Sequence, residues 1–225
     1  MKFYKLQYYA YEIFLTMERI VTNIKFQCPF GGIISGPSLS GKTSFTFEML
    51  SKRKELFDPV PERIVYVYGI WQKAYDDHPN IEFVAGIEKI LDETVQFDSS
   101  VNNMLILDDV MHEVAEKKKA ATLFTRDMHH KNVSVWFILQ NLYKQGPSMR
   151  DIVLNCQLFI LFKSPRDVSQ IKLLSRQLSL KNLVKAYEKS IKVRFGYLVI
   201  NLQPTTHEKL VLQSNIFDPH RTIYY

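Results

Sequence analysis

The run from Gly36 to Thr43 has the residue types and spacing of a phosphate-binding loop. It reads Gly-Pro-Ser-Leu-Ser-Gly-Lys-Thr, which fits the pattern G-x-x-x-x-G-K-[ST]. The glycines permit a tight turn in which backbone N–H groups point at phosphate oxygens. Lys42 is expected to reach the β- and γ-phosphates of ATP, and the Thr43 hydroxyl to ligate Mg²⁺. The predicted nucleotide-binding residues are Gly36, Pro37, Ser38, Leu39, Ser40, Gly41, Lys42, Thr43 and Ser44.

Two carboxylates follow an apolar run, Met104–Leu107, as expected for a buried strand whose end faces the same site. Asp108 is predicted to hold Mg²⁺ through its water shell. Asp109 is predicted to orient or deprotonate the attacking water as general base, with Glu113 and Glu116 as alternatives. The competing interpretation is that these carboxylates cap a following helix.

A second predicted strand, Val133–Leu139, is continuously apolar from Val135 to Leu139 and is followed by Gln140. A polar residue at the carboxyl end of a buried parallel strand points into the ligand crevice, so Gln140 is a candidate to sense the γ-phosphate or hold the attacking water. The alternative is an ordinary turn residue. Just upstream, His129 and His130 invite a metal-site interpretation, which we reject because adjacent helical positions do not face one site.

The positive charge of the chain is concentrated in one stretch. Residues 163–194 hold nine Lys or Arg and two acids, whereas the rest of the chain holds twenty basic and twenty-one acidic residues, for a net charge of +6. Such a segment is typical of nucleic-acid contact, and the alternative is a solvated helix face. The spacing predicts one helical face of cations suited to DNA phosphates, formed by Lys181, Lys185, Lys189 and Lys192.

The elements needed to position these residues alternate between short β-rich runs and longer helical ones, so we predict an α/β fold with a mostly parallel sheet. The predicted strands are Gly32–Ser35, Arg63–Tyr68, Ile81–Val84, Met104–Asp108, Val133–Leu139, Leu158–Phe162 and Tyr197–Leu202. The predicted helices are Gly41–Arg53, Ile87–Phe97, part of 111–130, and Pro165–Lys192 with a break near Ser179. Pro59–Pro61 and Gly146-Pro147 are predicted loops.

Length and composition limit the remaining possibilities. A chain of 225 residues, 46% apolar and 23% charged, suits one globular domain. We predict an ATPase domain over 24–217, with an N-terminal extension (1–23) and a C-terminal tail (218–225). Two distant cysteines argue against a zinc site or a disulfide framework and favour an intracellular, non-secreted protein. No apolar run reaches the roughly 20 residues of a membrane helix, so no stable membrane insertion is expected.

Several of these runs together resemble the virion DNA-packaging ATPases of the FtsK–HerA superfamily, and most closely the poxvirus-type ATPases of Polinton/Maverick elements and related DNA viruses. They lie at 35–45, 63–77, 104–111, 123–150, 161–171, 196–206 and 215–217. The resemblance implies a P-loop NTPase fold with an extra strand between the Walker A and Walker B strands. The superfamily more often has Asp-Glu where this chain has Asp108-Asp109, which leaves the identity of the base open.

The resemblance also implies a ring oligomer, pentamer or hexamer, that hydrolyses ATP and drives double-stranded DNA into a capsid. Capsid or portal components would be partners, and the location would be the host nucleus, a virus factory or the virion. Such rings use an arginine from a neighbouring subunit; Arg126 is the favoured candidate, with Arg150 and Arg166 as alternatives. The competing functions are a P-loop ATPase for other cargo, a small-molecule kinase, or a non-catalytic nucleic-acid binder.

Overall fold

The computed structural model describes residues 16–21, 24–110, 124, 130–142, 147–164 and 168–225. The strands are β1 Met17–Val21, β2 Phe26–Gln27, β3 Gly31–Ser35, β4 Phe57–Asp58, β5 Arg63–Tyr68, β6 Glu82–Ala85, β7 Asn103–Asp108, β8 Val133–Leu139, β9 Leu158–Phe162, β10 Tyr197–Asn201, β11 Leu212–Ser214 and β12 His220–Tyr224. The helices are α1 Lys42–Ser51, α2 Arg53–Leu56, α3 Glu88–Leu91, α4 Pro147–Asn155, α5 Val168–Gln177 and α6 Leu183–Ser190.

The central sheet of the described residues has ten strands in the order β1-β12-β11-β10-β9-β3-β8-β7-β5-β6. The six strands from β9 to β6 are mutually parallel, and the four on the other side of β9 pair antiparallel. A separate two-stranded parallel ribbon joins β2 and β4. The predicted fold class is therefore confirmed, including the extra strand, because β8 lies between β3 and β7.

The apolar character of the central strands follows from burial on both faces. Along β7, Leu105 and Leu107 belong to one hydrophobic cluster, while Met104 and Ile106 belong to the other. Helix α1 packs its apolar residues on the second face, and α4, α5 and α6 contribute theirs to the first. Buried parallel strands covered in this way show continuous apolar runs instead of alternation, which is why the sequence located them well.

The carboxyl ends of the parallel strands are the positions where a ligand site is expected. The predicted boundaries of the strands at 32–35, 63–68, 81–84, 104–108, 133–139, 158–162 and 197–202 each agree with the structure within one residue. The predicted break near Ser179 is also confirmed, because α5 and α6 are separate and Ser179 has φ 56°.

One helix prediction and one loop prediction are wrong. The helix predicted over Ile87–Phe97 is only α3, because the Asp92 side chain accepts hydrogen bonds from the Thr94 backbone N–H (3.1 Å) and hydroxyl (2.7 Å), and Glu93 has φ 59°. A local turn of this kind competes with helix continuation. Pro147 was predicted in a loop but begins α4, since the fixed φ of proline suits the first turn of a helix.

Strands β1 and β12 pair along the outer side of the sheet, from Met17 opposite Tyr224 to Val21 opposite His220. The sequence assigned these residues to an extension and a tail. Of the predicted helix over 111–130, only residues 124 and 130 lie among the described ones. Within the described part of the chain, none of the helices has the length and hydropathy needed to cross a bilayer.

Candidate nucleotide-binding site

The predicted phosphate loop connects β3 to α1 and folds around the Lys42 side chain. The Lys42 ammonium donates hydrogen bonds to the backbone carbonyls of Gly36 (2.6 Å) and Pro37 (2.9 Å). Burial lowers the pKa of Lys42, and the nearby carboxylates of Asp108 and Asp109 oppose that shift. A partly desolvated cation facing two acids is thus held on the concave side of the loop.

The loop depends on glycine at both ends of the motif. A Cβ on Gly36 would lie 2.7 Å from Phe162 Cβ and 2.8 Å from Ser40 Oγ, which is too close for any side chain. Gly41 has φ 99°, a left-handed conformation that costs glycine little. The motif glycines therefore serve the backbone path, and Gly41 immediately precedes the first turn of α1.

Asp108 ends β7 in a buried position, with only 8% of its surface exposed. Its Oδ2 accepts a hydrogen bond of 2.6 Å from the hydroxyl of Tyr66, on the neighbouring strand β5. Burial raises the pKa of Asp108; the Tyr66 hydrogen bond and Lys42 lower it, and Asp109 raises it. Tyr66 thus orients the carboxylate and partly compensates the cost of burying its charge.

Asp109 lies one residue beyond the strand in a left-handed conformation, φ 57°, and is exposed. This conformation is uncommon for a residue with a side chain, although Asp tolerates it better than most. The Gln140 amide, after the adjacent strand β8, donates to Asp109 Oδ1 at 3.4 Å. The two side chains predicted to handle the attacking water are therefore within reach of each other.

One cavity of about 680 Å³ joins these groups. Ser38, Leu39, Gly41, Lys42, Thr43 and Ser44 of the predicted loop line it, together with Asp108, Asp109 and Gln140. Gly36, Pro37 and Ser40 do not line this cavity, although Gly36 and Pro37 hold Lys42. A volume of several hundred Å³ is that of a site for a nucleotide-sized ligand.

The other end of the cavity is aromatic. Phe162 ends β9, Tyr197 begins β10, and Phe45 of α1 packs against both, with ring centroids 5.5 and 4.8 Å away. Phe217 lies 4.8 Å from Phe45, and Phe195 completes the lining with an exposed fraction of 52%.

Several predicted residues lie outside what the structure describes. These are Arg126 and Arg166, the alternative bases Glu113 and Glu116, and His129. Arg150 lies in α4, but its side chain is not among those described. The choice of the trans-acting arginine and the choice between Asp109 and the two glutamates therefore remain predictions.

The predicted lysine face is only partly helical, which corrects the sequence interpretation. Lys185 and Lys189 lie on α6 and are exposed, opposite buried residues such as Leu183 and Tyr187. Lys181 precedes the helix and Lys192 follows it, because α6 begins at Leu183 and ends at Ser190. Lys192 instead lines a second cavity, of about 510 Å³, with Lys163 and Arg194 on the outer side of the phosphate loop.

Sequence reasoning missed Tyr66 and Phe195. Tyr66 occupies a fully buried position in β5, between the apolar residues Val65 and Val67. A buried hydroxyl needs a partner, so its burial was an available signal. Phe195 gave a weaker signal, the glycine that follows it. A Cβ on Gly196 would lie 2.4 Å from the Ser190 carbonyl oxygen, so a tight turn requires glycine there.

No protein-family model matches the chain, and no curated protein matches it. Among solved structures, the genome packaging NTPase B204 from Sulfolobus turreted icosahedral virus 2, in complex with ATP-gammaS, is similar over 83% of this chain and 96% of that one, with TM-score 0.55 and 14% identity.

B204, the DNA-packaging ATPase from Sulfolobus Turreted Icosahedral Virus, is similar with TM-score 0.54 and 15% identity, over 79% of this chain and 95% of that one. At such identities a likeness is evidence of the fold. The mostly parallel sheet flanked by helices is that of a P-loop NTPase.

Proposed function

We propose that this protein is an ATP hydrolase that works as an oligomeric motor and translocates double-stranded viral DNA into a capsid. One observation supports the assignment as a hydrolase. A single cavity at the carboxyl ends of three adjacent parallel strands is lined by Lys42, Asp108, Asp109 and Gln140. The packaging role is supported by the similar structures, which are those of genome-packaging NTPases, and by the sequence resemblance.

The residues at the acidic end fit Mg²⁺. Asp108 and Thr43 offer hard oxygen ligands, and burial raises the pKa of Asp108, so a divalent cation would favour its ionised form. Thr43 and Asp108 would hold the ion, directly or through water. When bound, Mg²⁺ neutralises charge on the phosphate oxygens of ATP.

The protein's own groups then have separate tasks. Lys42 can move its hydrogen bonds from the loop carbonyls to the β- and γ-phosphates, where positive charge stabilises the transition state. Asp109 accepts a proton from water, and the Gln140 amide, 3.4 Å away, holds that carboxylate and the water in place. Replacing Gln140 with Ala is expected to lower kcat about 100-fold with little change in ATP affinity, since it removes a group that acts on the water.

DNA would be held by cations outside this cavity. We assign phosphate contacts to Lys181, Lys185, Lys189 and Lys192, which are all exposed. Lys163 and Arg194 extend this basic surface to the outer wall of the phosphate loop. Lysines contact phosphates without reading bases, which suits a motor that must move any sequence.

The assembly in this proposal is a ring of identical subunits, pentamer or hexamer, with Arg126 of one subunit completing the site of the next. Capsid or portal components are the further partners, and the host nucleus, virus factory or virion is the place of action. These features come from the resemblance to packaging ATPases.

The test is steady-state ATP hydrolysis by the purified chain at rising double-stranded DNA concentration and two salt concentrations. We expect DNA to raise turnover several-fold, high salt to abolish the effect, and Lys42→Ala and Asp108→Ala to be inactive. The variant Lys185→Glu/Lys189→Glu should lose DNA stimulation but keep basal turnover.

A matched control is Lys54→Glu/Lys89→Glu, which reverses two exposed charges on α2 and α3. Each lost phosphate contact should reduce the salt dependence of DNA binding by about 0.9 in log–log slope. If DNA does not change the rate of ATP hydrolysis by the wild type, the translocase proposal is overturned, and the next experiment is a screen for the acceptor of a small-molecule kinase.

A further inference from the structure

The order of strands divides the nucleotide cavity into two chemically different ends. Asp108 ends β7 and Gln140 follows β8, on one side of β3, whereas Phe162 and Tyr197 belong to β9 and β10, on the other. Strand β10 is antiparallel to β9 and begins opposite its end, with Tyr197 paired to Phe162, so both residues lie at the same edge of the sheet. The phosphate loop lies between the two ends.

A triphosphate held by this loop has only one orientation that matches both ends. Its terminal phosphate must face the side with the carboxylates and Gln140, where charge and proton transfer can be handled. The nucleoside must then leave toward the aromatic side. Because aromatic faces stack on nucleobases, the lining at this end suits a base better than it suits further phosphate.

Phe195 is the aromatic residue of this end that is held in place and yet still exposed. Its backbone has φ 57°, an unusual conformation for an aromatic residue. The turn between α6 and β10 imposes it, with Gly196 N–H donating to the Val193 carbonyl at 3.1 Å. The ring lies against the phosphate loop, 3.2 Å from where a Cβ of Gly41 would be.

A second contact fixes the ring. The Arg194 guanidinium carbon lies over it, 4.8 Å from the ring centroid, as a cation–π pair. The exposed fraction of Phe195 is nevertheless 52%, whereas Phe45 and Phe162 are buried at 5% and 3%. A strained backbone that presents an exposed ring at a ligand cavity is the kind of outlier that indicates a functional constraint.

We propose that Phe195 stacks on the base of a purine nucleoside triphosphate and so strengthens the binding of the nucleoside part of the substrate. This inference rests on the nucleotide site proposed above, but it does not depend on DNA. The ring contributes contact area and not hydrogen bonds, so ATP and GTP should benefit alike, and the smaller ring of CTP should benefit less.

Calorimetric titration of the full chain with MgATP, MgGTP, MgCTP and magnesium tripolyphosphate, without DNA, tests the proposal. Phe195→Ala should weaken ATP and GTP binding about tenfold, CTP binding less, and tripolyphosphate binding by no more than about twofold. Phenylalanine and alanine both carry a Cβ at this positive-φ position, so comparing Phe195→Ala with the wild type isolates the contribution of the aromatic ring. Phe195→Tyr should restore ATP binding.

Val193→Ala is the matched control, because Val193 lies on the same turn, has an exposed fraction of 62% and does not line the nucleotide cavity. Normal tripolyphosphate binding by Phe195→Ala shows that the loop is intact. If Phe195→Ala loses affinity for ATP and tripolyphosphate equally, the ring supports the structure of the phosphate loop. If its ATP affinity is unchanged, the ring has no role in nucleotide binding. Either result overturns the proposal. Failure of DNA to stimulate hydrolysis would leave this result standing.

Discussion

Replacing Gly32 with Ala tests how tightly the strand before the phosphate loop is packed. A Cβ at Gly32 would lie 2.5 Å from two ring carbons of Trp136, which faces it on β8. Carbon atoms pack best at about 3.5–4.0 Å, so the ring or the strand must move by about 1 Å. Trp136 is fully buried and contacts Phe30, with centroids 5.1 Å apart, so it has no room to yield.

Overpacking of this kind costs about 1–3 kcal/mol. For a protein of this size a loss of about 2 kcal/mol lowers Tm by about 4–8 °C. The matched control is Gly31→Ala in the same strand, where the added Cβ would lie 3.5 Å from Cys156 Sγ, an ordinary contact. That variant is expected to be neutral or slightly stabilised, since Ala loses less backbone entropy than Gly on folding.

Urea unfolding followed by circular dichroism gives the free energy of unfolding of both variants. Repeating Gly32→Ala in a protein that lacks the Trp136 ring isolates the steric clash. In Trp136→Leu, which removes the ring, the cost of Gly32→Ala should fall below about 0.5 kcal/mol, because the two residues are in direct contact. Equal midpoints for the two glycine variants would refute the steric argument. So would a cost of Gly32→Ala that is the same with and without the indole.

Two further predictions concern single polar groups. Tyr66→Phe removes the hydroxyl that donates to Asp108, and it should raise the Mg²⁺ concentration for half-maximal hydrolysis by about 10-fold or more, because a metal ligand then loses its supporting hydrogen bond. Tyr224→Phe removes another buried hydroxyl, on β12, and should leave that Mg²⁺ concentration unchanged; an equal effect of the two variants would refute the role of Tyr66. Burial raises the pKa of Cys28 to about 11 from 9.0, so its thiolate is scarce at pH 8 and abundant only above the raised pKa. Alkylation of Cys28 by iodoacetamide should therefore be slow in the native protein and fast in urea. Equal rates in the two conditions would contradict the burial of the thiol.

The strands and the phosphate loop were predictable because their signals are local. The loop motif lies within one short stretch, and the continuous apolar runs of β7 and β8 reflect burial on both faces. Strands β11 and β12, which lie between β10 and the edge strand β1, were not predicted as strands. The short β11 pairs in register with β12 over only three residue pairs, so it leaves little periodicity to detect.

Periodicity misled where a polar side chain or a loop changed the backbone path. The apolar spacing continues past Asp92, but the hydrogen bonds to Thr94 end α3. The lysine spacing likewise extends beyond both ends of α6, so Lys181 and Lys192 share the spacing of a helical face without lying in the helix. Periodicity detects which residues could share a face, but only the capping chemistry and tertiary contacts decide where a helix stops.

The two ends of the nucleotide cavity differ in what a sequence can reveal about them. Asp108 and Gln140 are polar residues at the ends of apolar runs, so the sequence indicates them, whereas Phe195 is an apolar residue of the kind that usually lies in a core. Gly41 contributes to both ends. Its left-handed backbone forms the loop, and a Cβ at this position would lie 3.2 Å from the Phe195 ring. We therefore expect a substitution at Gly41 to weaken the binding of both ATP and tripolyphosphate. A change at Phe195 separates the two, because its ring lines the aromatic end of the cavity, and the ratio of ATP to tripolyphosphate affinity measures that separation.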